Sequence, residues 1–157
     1  MALPFSNYSI DRIVAVESAQ HFRPLELFIR ECKRVLVKKG RLVLTTPVKS
    51  IMTEGLTNVK KFGIVSLSMP SKNYLLKNLE STITNGGFQI EEVLHIGSKV
   101  YEPLTNYYTQ NRKLLRGMIL KKYPSYVESL LYKSLLKAAD AYRKGILDYV
   151  LIKSSPM

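Results

Sequence analysis

Acidic residues are scarce in this 157-residue chain: 12 Asp and Glu stand against 24 Lys and Arg, for a formal net charge of +12. Such a field favours anionic partners, whether nucleic acid, a membrane surface or an acidic cofactor. The cations are spread through predicted helices rather than gathered in one block, so nucleic-acid binding is not expected. Cysteine is scarcer still. Cys32 stands alone, which excludes an internal disulfide and agrees with a reducing compartment. Two widely separated histidines and one cysteine give no zinc spacing. No apolar run approaches the roughly 20 residues that span a bilayer, and the first residues lack the basic-then-apolar design of a signal peptide. The expectation is a cytoplasmic protein. Hydrophobic residues make up 46% and charged residues 23% of the chain, a globular balance at a length that suits one domain with one core.

What is present reads as alternating strands and helices. Ile10 to Val16 is a short β-branched run, expected to be a strand buried on both faces. Pro24 opens a helix whose Leu25, Phe28, Ile29, Cys32, Val35 and Leu36 form one apolar stripe. Lys38, Lys39 and Gly40 are expected to close it. Arg41 to Thr46 reads as a second buried strand, so strand, helix and strand make a right-handed parallel βαβ unit. Pro47 to Pro70 has no sustained period and reads as a long loop or insert of the kind that covers a site. A helix is expected over Ser71 to Thr84, stopped by Asn85-Gly86-Gly87. Phe88 to Ile96 follows as a strand interrupted by Glu92. Tyr101 to Lys144 is helical, with one stripe through Leu104, Tyr107, Tyr108, Leu115, Met118 and Ile119. After Pro124 a second stripe runs through Val127, Leu131, Leu135, Ala138 and Tyr142. Ile146 to Lys153 forms a closing strand. The sum is four strands and about four helices in a mostly parallel α/β domain.

In an open parallel sheet, ligands bind beyond the carboxyl ends of the strands. For the first strand that place is Glu17-Ser-Ala-Gln-His-Phe22, where a carboxylate and an imidazole four residues apart suit hydrogen bonding and proton transfer. For the second it is Thr45-Thr46-Pro47. The plainer alternative is that Glu17 pairs with a lysine and His21 packs at the start of the helix.

Several segments, in order, carry a resemblance. They are Ala2-Leu-Pro-Phe5, Ser9-Ile-Asp11, Val14-Ala-Val-Glu-Ser-Ala-Gln-His21-Phe22, Glu31-Cys-Lys-Arg-Val-Leu36 and Gly40-Arg-Leu-Val-Leu44. Further on, Asn85-Gly-Gly-Phe88 and Ile146 to Lys153 continue it. Together they resemble the class I S-adenosylmethionine-dependent methyltransferases, nearest to the small-molecule, sterol and quinone type. That family reads "D-A-x-x-L-P-F-x-D-x-S-F-D", then "E-S-x-x-H-M/F", then "R-V-L-K-P-G-G-x-L". The resemblance implies a Rossmann-like methyltransferase sheet, of which only the C-terminal half is expected here: about four strands, mostly parallel, the last antiparallel, with a helical insert. It implies a single partial methyltransferase domain over 1–157, with a substrate-cover insert over 101–144 inside it.

The departures are as informative. The family's glycine-rich G-x-G-x-G turn is absent, as is the acidic residue that closes its second strand. Ser6-Asn7-Tyr8 replaces an acidic loop, and Lys39-Gly40 a double glycine. Three βα units, about 90 residues at roughly 30 each, are not matched, and the first strand is left with an apolar edge that calls for a partner. The cofactor implied is S-adenosyl-L-methionine, with Ala2 and Leu3 near the adenine and Glu17 and Ser18 at the methyl-bearing side. His21 is implied as catalytic base, and Tyr107, Tyr108 and Arg112 as substrate contacts. The partners expected are a small-molecule acceptor and either a second copy or the unmatched N-terminal half. A non-catalytic module that pairs through its sheet edge is the competing expectation.

Overall fold

The computed structural model describes residues 2–49 and 75–157. The insert is expected from Pro47, but Pro47, Val48 and Lys49 continue the second strand by pairing with Tyr149, Asp148 and Leu147. The rest of that stretch, and the start of the helix expected from Ser71, lie outside the described residues. In chain order the elements are β1 (Ile10–Val16), a 3-10 turn (Ala19–His21), α1 (Leu25–Val35), β2 (Leu36–Lys49) and α2 (Leu76–Asn85). Then come β3 (Phe88–His95), α3 (Gly97–Gln110), α4 (Arg112–Leu120), α5 (Ser125–Arg143) and β4 (Leu147–Pro156). No helix among the described residues is long and apolar enough to cross a membrane.

Local chemistry accounts for the boundaries. α1 follows Pro24 in its cap position, with Glu26 in the first turn and Lys33 and Arg34 in the last, each opposing the helix dipole. α2 ends where Gly87 takes φ +86°, a conformation that favours glycine. The preceding Gly86 lets α1 and α2 close together, since a Cβ there would lie 2.3 Å from Ile29 Cγ2.

The strand order is β1-β2-β4-β3. β1 and β2 are parallel, and β4 runs antiparallel to both of its neighbours. This is the Rossmann-like α/β sheet with an antiparallel last strand that the sequence led us to expect. Side chains alternate between its two faces. Leu42, Leu44, Val48, Val150 and Ile152 meet Ile29, Cys32, Ile83 and Phe88 in the main core, where each large side chain contributes about 1.5–3 kcal/mol of burial. On the opposite face Leu147 and Tyr149 join Tyr101, Ala138, Ala139 and Ala141 under α3 and α5. The expected interruption of β3 is a bulge between Ile90 and Glu92. The intervening Glu91 meets Arg41 at 3.1 Å and Lys153 at 3.4 Å. Burial opposes its charge, but hydrogen bonds from Ser155 and Lys153 and the charge of Arg41 hold it below the usual carboxylate range.

The structure corrects four further expectations. β1 is not buried on both faces: it is a sheet edge among the described residues, with Val14 66% and Val16 60% exposed. These two pair with Val43 and Thr45 and so point to the face where α3 and α5 pack on β4, leaving β1 uncovered. α1 does not run to Gly40. It ends at Val35 because Leu36 already pairs with Ile10, drawing Lys38 and Lys39 into β2. The Leu104, Tyr107 and Met118 stripe faces outward, and the buried residues of α3 are Gly97, Tyr101, Thr105 and Tyr108. The helical stretch, expected to break at Pro124, also breaks near Asn111, so the described residues hold five helices where about four were expected.

Candidate functional site

β1 ends beside Thr45 of β2, which runs on to Lys49, and the chain leaving β1 turns sharply. Glu17 takes φ +50°, a left-handed conformation that costs a non-glycine residue about 1–3 kcal/mol and persists only where its surroundings enforce it. Its N–H donates to the Thr45 carbonyl at 3.2 Å. Two hydrogen-bonded pairs flank its carboxylate, one on each face of the sheet. On the α1 side the Thr46 hydroxyl lies 3.4 Å from Gln20 Oε1, and Gln20 Nε2 donates to Glu17 Oε2 at 2.9 Å. On the α3 side Thr45 Oγ1 lies 3.3 Å from Tyr149 Oη. Gln20, Thr45, Thr46 and Tyr149 are all buried, whereas Glu17 is exposed. Four buried polar side chains thus flank one exposed carboxylate, and Gln20 bonds it directly.

Burial, with the neighbouring Glu17 charge, pushes the Tyr149 phenol up to about 12. Burial and the same carboxylate also raise Tyr101, whose hydroxyl donates to the Asp148 carbonyl at 3.2 Å. Both phenols therefore stay neutral beside a carboxylate suited to meeting a ligand's positive charge.

Ser18 and His21 share this turn. The His21 N–H donates to the Ser18 carbonyl at 2.9 Å, and the exposed imidazole has no hydrogen-bond partner among the described residues. Leu3 is tied elsewhere: its N–H donates to Glu31 Oε2 at 2.8 Å and its carbonyl accepts from Arg34 Nη2 at 3.0 Å. Arg34 also donates to Glu31 from Nε at 2.9 Å and Nη2 at 2.8 Å, and these bonds, with the Leu3 N–H, draw the Glu31 carboxyl down to about 2. Ala2 beside it is exposed.

The three residues expected at the substrate lie on α3 and α4. Tyr107 is exposed. Tyr108 and Arg112 belong to a cluster around Glu128, which is fully buried. Arg112 donates to Glu128 from Nε at 2.9 Å and Nη2 at 3.3 Å, Tyr108 Oη donates at 3.4 Å, and Arg116 stands 3.7 Å away. The Arg112 guanidinium also lies 3.8 Å over the Tyr132 ring, an additional attraction. Its hydrogen bonds hold Glu128 below the usual carboxylate range, against the cost of burial. No hydrogen bond joins this cluster to Glu17 or His21 among the described residues.

A second imidazole site was missed by sequence reasoning. His95 Nδ1 meets Asp148 Oδ2 at 2.5 Å, while Asp148 Oδ1 accepts the Tyr149 N–H at 2.7 Å. A carboxylate so placed favours the proton on Nδ1 and leaves Nε2 to accept. The pair lines a cleft of about 240 Å³ with Lys49, Leu76 and Tyr142. The signal was available, because His95 ends β3 just as Glu17 follows β1. Its partner, 53 residues away, was not.

Comparison with known proteins bears on the fold. Residues 1–44, carrying β1, the turn, α1 and most of β2, match the methyltransferase domain family. No curated protein sequence matches the chain. Among solved structures, phosphoethanolamine N-methyltransferase 2 of Haemonchus contortus, in complex with S-adenosyl-L-methionine, superposes with TM-score 0.76 at 15% identity, over 97% of this chain and 34% of that one. The cyclopropane synthase MmaA2 of Mycobacterium tuberculosis gives 0.74 at 16%, over 95% and 56%. Geranyl diphosphate C-methyltransferase of Streptomyces coelicolor, in complex with Mg2+, geranyl diphosphate and S-adenosyl-L-homocysteine, gives 0.71 at 14%, over 99% and 50%. The chain thus spans between a third and just over half of these structures, and its fold is that of the Rossmann-like class I methyltransferases.

Proposed function

We propose that this chain takes part in S-adenosyl-L-methionine-dependent methyl transfer to a small-molecule acceptor. The observation that carries the reading is the Glu17 carboxylate, exposed beyond a parallel strand and held by Gln20, with its backbone N–H on the Thr45 carbonyl. The donor set fits part of the cofactor. An exposed anion beside Ser18 suits the cationic, methyl-bearing side, and exposed Ala2 with the apolar side chain of Leu3 offers an edge for the adenine. The backbone groups of Leu3 are already engaged by Glu31 and Arg34, so its contact there is apolar. The sequence contains no G-x-G-x-G turn for the remaining part, and weak binding follows.

When bound, the cofactor supplies an electrophilic methyl group. The chain's own residues do the rest by orientation, which is the main requirement of an in-line displacement. Glu17 and Ser18 anchor one side. His21, on the same turn, accepts the proton that a hydroxyl acceptor must lose, a contribution of about 10²–10⁴-fold when geometry is right. The helices within 101–144 cover the acceptor, with exposed Tyr107 as a ring contact. Tyr108 and Arg112 support that cover through Glu128.

Saturation-transfer NMR with S-adenosylhomocysteine tests the reading at the weak affinity expected. Adenine protons gain saturation from the wild-type chain and lose most of it with Glu17→Ala. No saturation, or an undiminished signal in the variant, overturns it. The exposed Val14 and Val16 favour a second reading, a non-catalytic module that pairs through the β1 edge. It requires a dimer by analytical ultracentrifugation that Val14→Lys with Val16→Lys disperses, and no saturation of the nucleoside.

A further inference from the structure

The helix α4 buries none of its residues. Leu114 is 66% and Met118 58% exposed, and they lie four residues apart on one side of the helix. Lys113, Gly117 and Lys121 share the same shallow depression with them. The surrounding sequence is equally one-sided: no acidic residue occurs between Glu102 and Glu128, a stretch that holds five cations. Two of these, Arg112 and Arg116, face the buried Glu128. Lys113, Lys121 and Lys122 are exposed and make no ion pair among the described residues. Apolar side chains ringed by uncompensated cations form an interfacial surface.

We propose that the outer face of α4 and the turn after it dock on a bilayer surface containing anionic lipid. Leu114 and Met118 enter the boundary between headgroups and acyl chains, while Lys113, Lys121 and Lys122 meet the headgroups. Amphipathic helices bind lipid by this combination of apolar area and attraction to anionic lipid. A second copy of the chain fits poorly, because each copy would bring the same cations and a formal charge of +12 to the contact. A nucleic acid would satisfy the lysines but leave the two aliphatic side chains wet. Tyr123 and Tyr126, 56% and 68% exposed beyond the helix, suit the headgroup level, where amphipathic rings collect.

The test is co-sedimentation of the full chain with phosphatidylcholine vesicles, with and without one quarter phosphatidylglycerol. Binding is expected to be about tenfold tighter with the anionic lipid, and severalfold weaker at about 0.5 M than at about 0.1 M salt. Leu114→Gln with Met118→Gln, which keeps the charge, should weaken it about fivefold with an unchanged circular dichroism spectrum. The chain contains no tryptophan, so Met118→Trp is a unique reporter, and its emission should shift to the blue on the anionic vesicles. Equal binding to both vesicles, full binding by the double Gln variant, or an unshifted emission overturns the proposal. So does displacement by an equimolar single-stranded oligonucleotide that binds the Gln variant as tightly as the wild type.

Discussion

Replacing Tyr149 with phenylalanine isolates the Thr45 and Tyr149 pair beside Glu17, because the ring stays and only the hydroxyl leaves. The ring is 5% exposed and meets Tyr101 edge-on at 6.2 Å, so packing is nearly unchanged. One hydrogen bond goes. The 3.3 Å contact with Thr45 is long but buried, and its loss costs about 1 kcal/mol, or about 2–4 °C in melting temperature for a chain of this length. Urea unfolding at neutral pH, followed by circular dichroism, should show it as a lower midpoint with an unchanged slope. The pH dependence carries a sign. The phenol is raised in the folded chain from 10.0 to about 12, so its contribution is complete below pH 10 and disappears as the pH rises through 12. The gap between wild type and Tyr149→Phe should therefore close over that window. A difference below about 0.5 kcal/mol at neutral pH, or one that stays constant through alkaline pH, refutes the pair as described.

Two glycines should respond to alanine with opposite signs. At Gly86 a Cβ would sit 2.3 Å from the buried Ile29 Cγ2, and overpacking should cost about 1–3 kcal/mol. At Gly117, inside α4 with nothing within 4 Å, the gain in helix propensity should stabilise by about 0.5–1 kcal/mol; thermal melts of the pair check both. Glu128 is held below 4.5, chiefly by Arg112, so its contribution is present above that pH and lost as the pH falls through its folded value. Glu128→Gln should be less stable at neutral pH and show a flatter acid limb, measured by melting from pH 7 to pH 3. Cys32 is fully buried and its thiol is pushed up to about 12. It should resist a thiol-reactive dye in native buffer and react fully in urea.

The sheet was legible where periodicity and neighbours agree. β1 occupies the predicted Ile10–Val16, and the glycine stop after α2 falls at Gly87 in left-handed geometry. Periodicity failed where a partner strand decides. Leu36 fits the helical stripe of α1, yet pairing with Ile10 claims it for β2. Val14 and Val16 read as core residues, yet nothing described covers their face. In the site, Glu17 could be placed from the end of β1 alone. The Thr45-Thr46 pair reads as a strand end, yet β2 runs on to Lys49, and the pair meets the site because β1 stops beside it. Gln20 and Tyr149 could not be placed, because their role comes from which face of the sheet each occupies. Arg112 and Tyr108 show the converse: the types suited a ligand, but a buried carboxylate 16 residues on from Arg112 holds them both.

The position of β4 has a consequence for synthesis. It follows every other described element in sequence yet lies between β2 and β3, and its Ser154 reaches the Leu42 carbonyl across 112 residues. Until residues 147–156 leave the ribosome, β2 and β3 cannot share a sheet, and both present open edges. At about 5–20 residues per second, the roughly 100 residues between β2 and β4 leave such edges exposed for seconds, and closure of so long a loop is slow in its own right. The nascent chain, rather than the finished one, is where this topology most needs protection from aggregation.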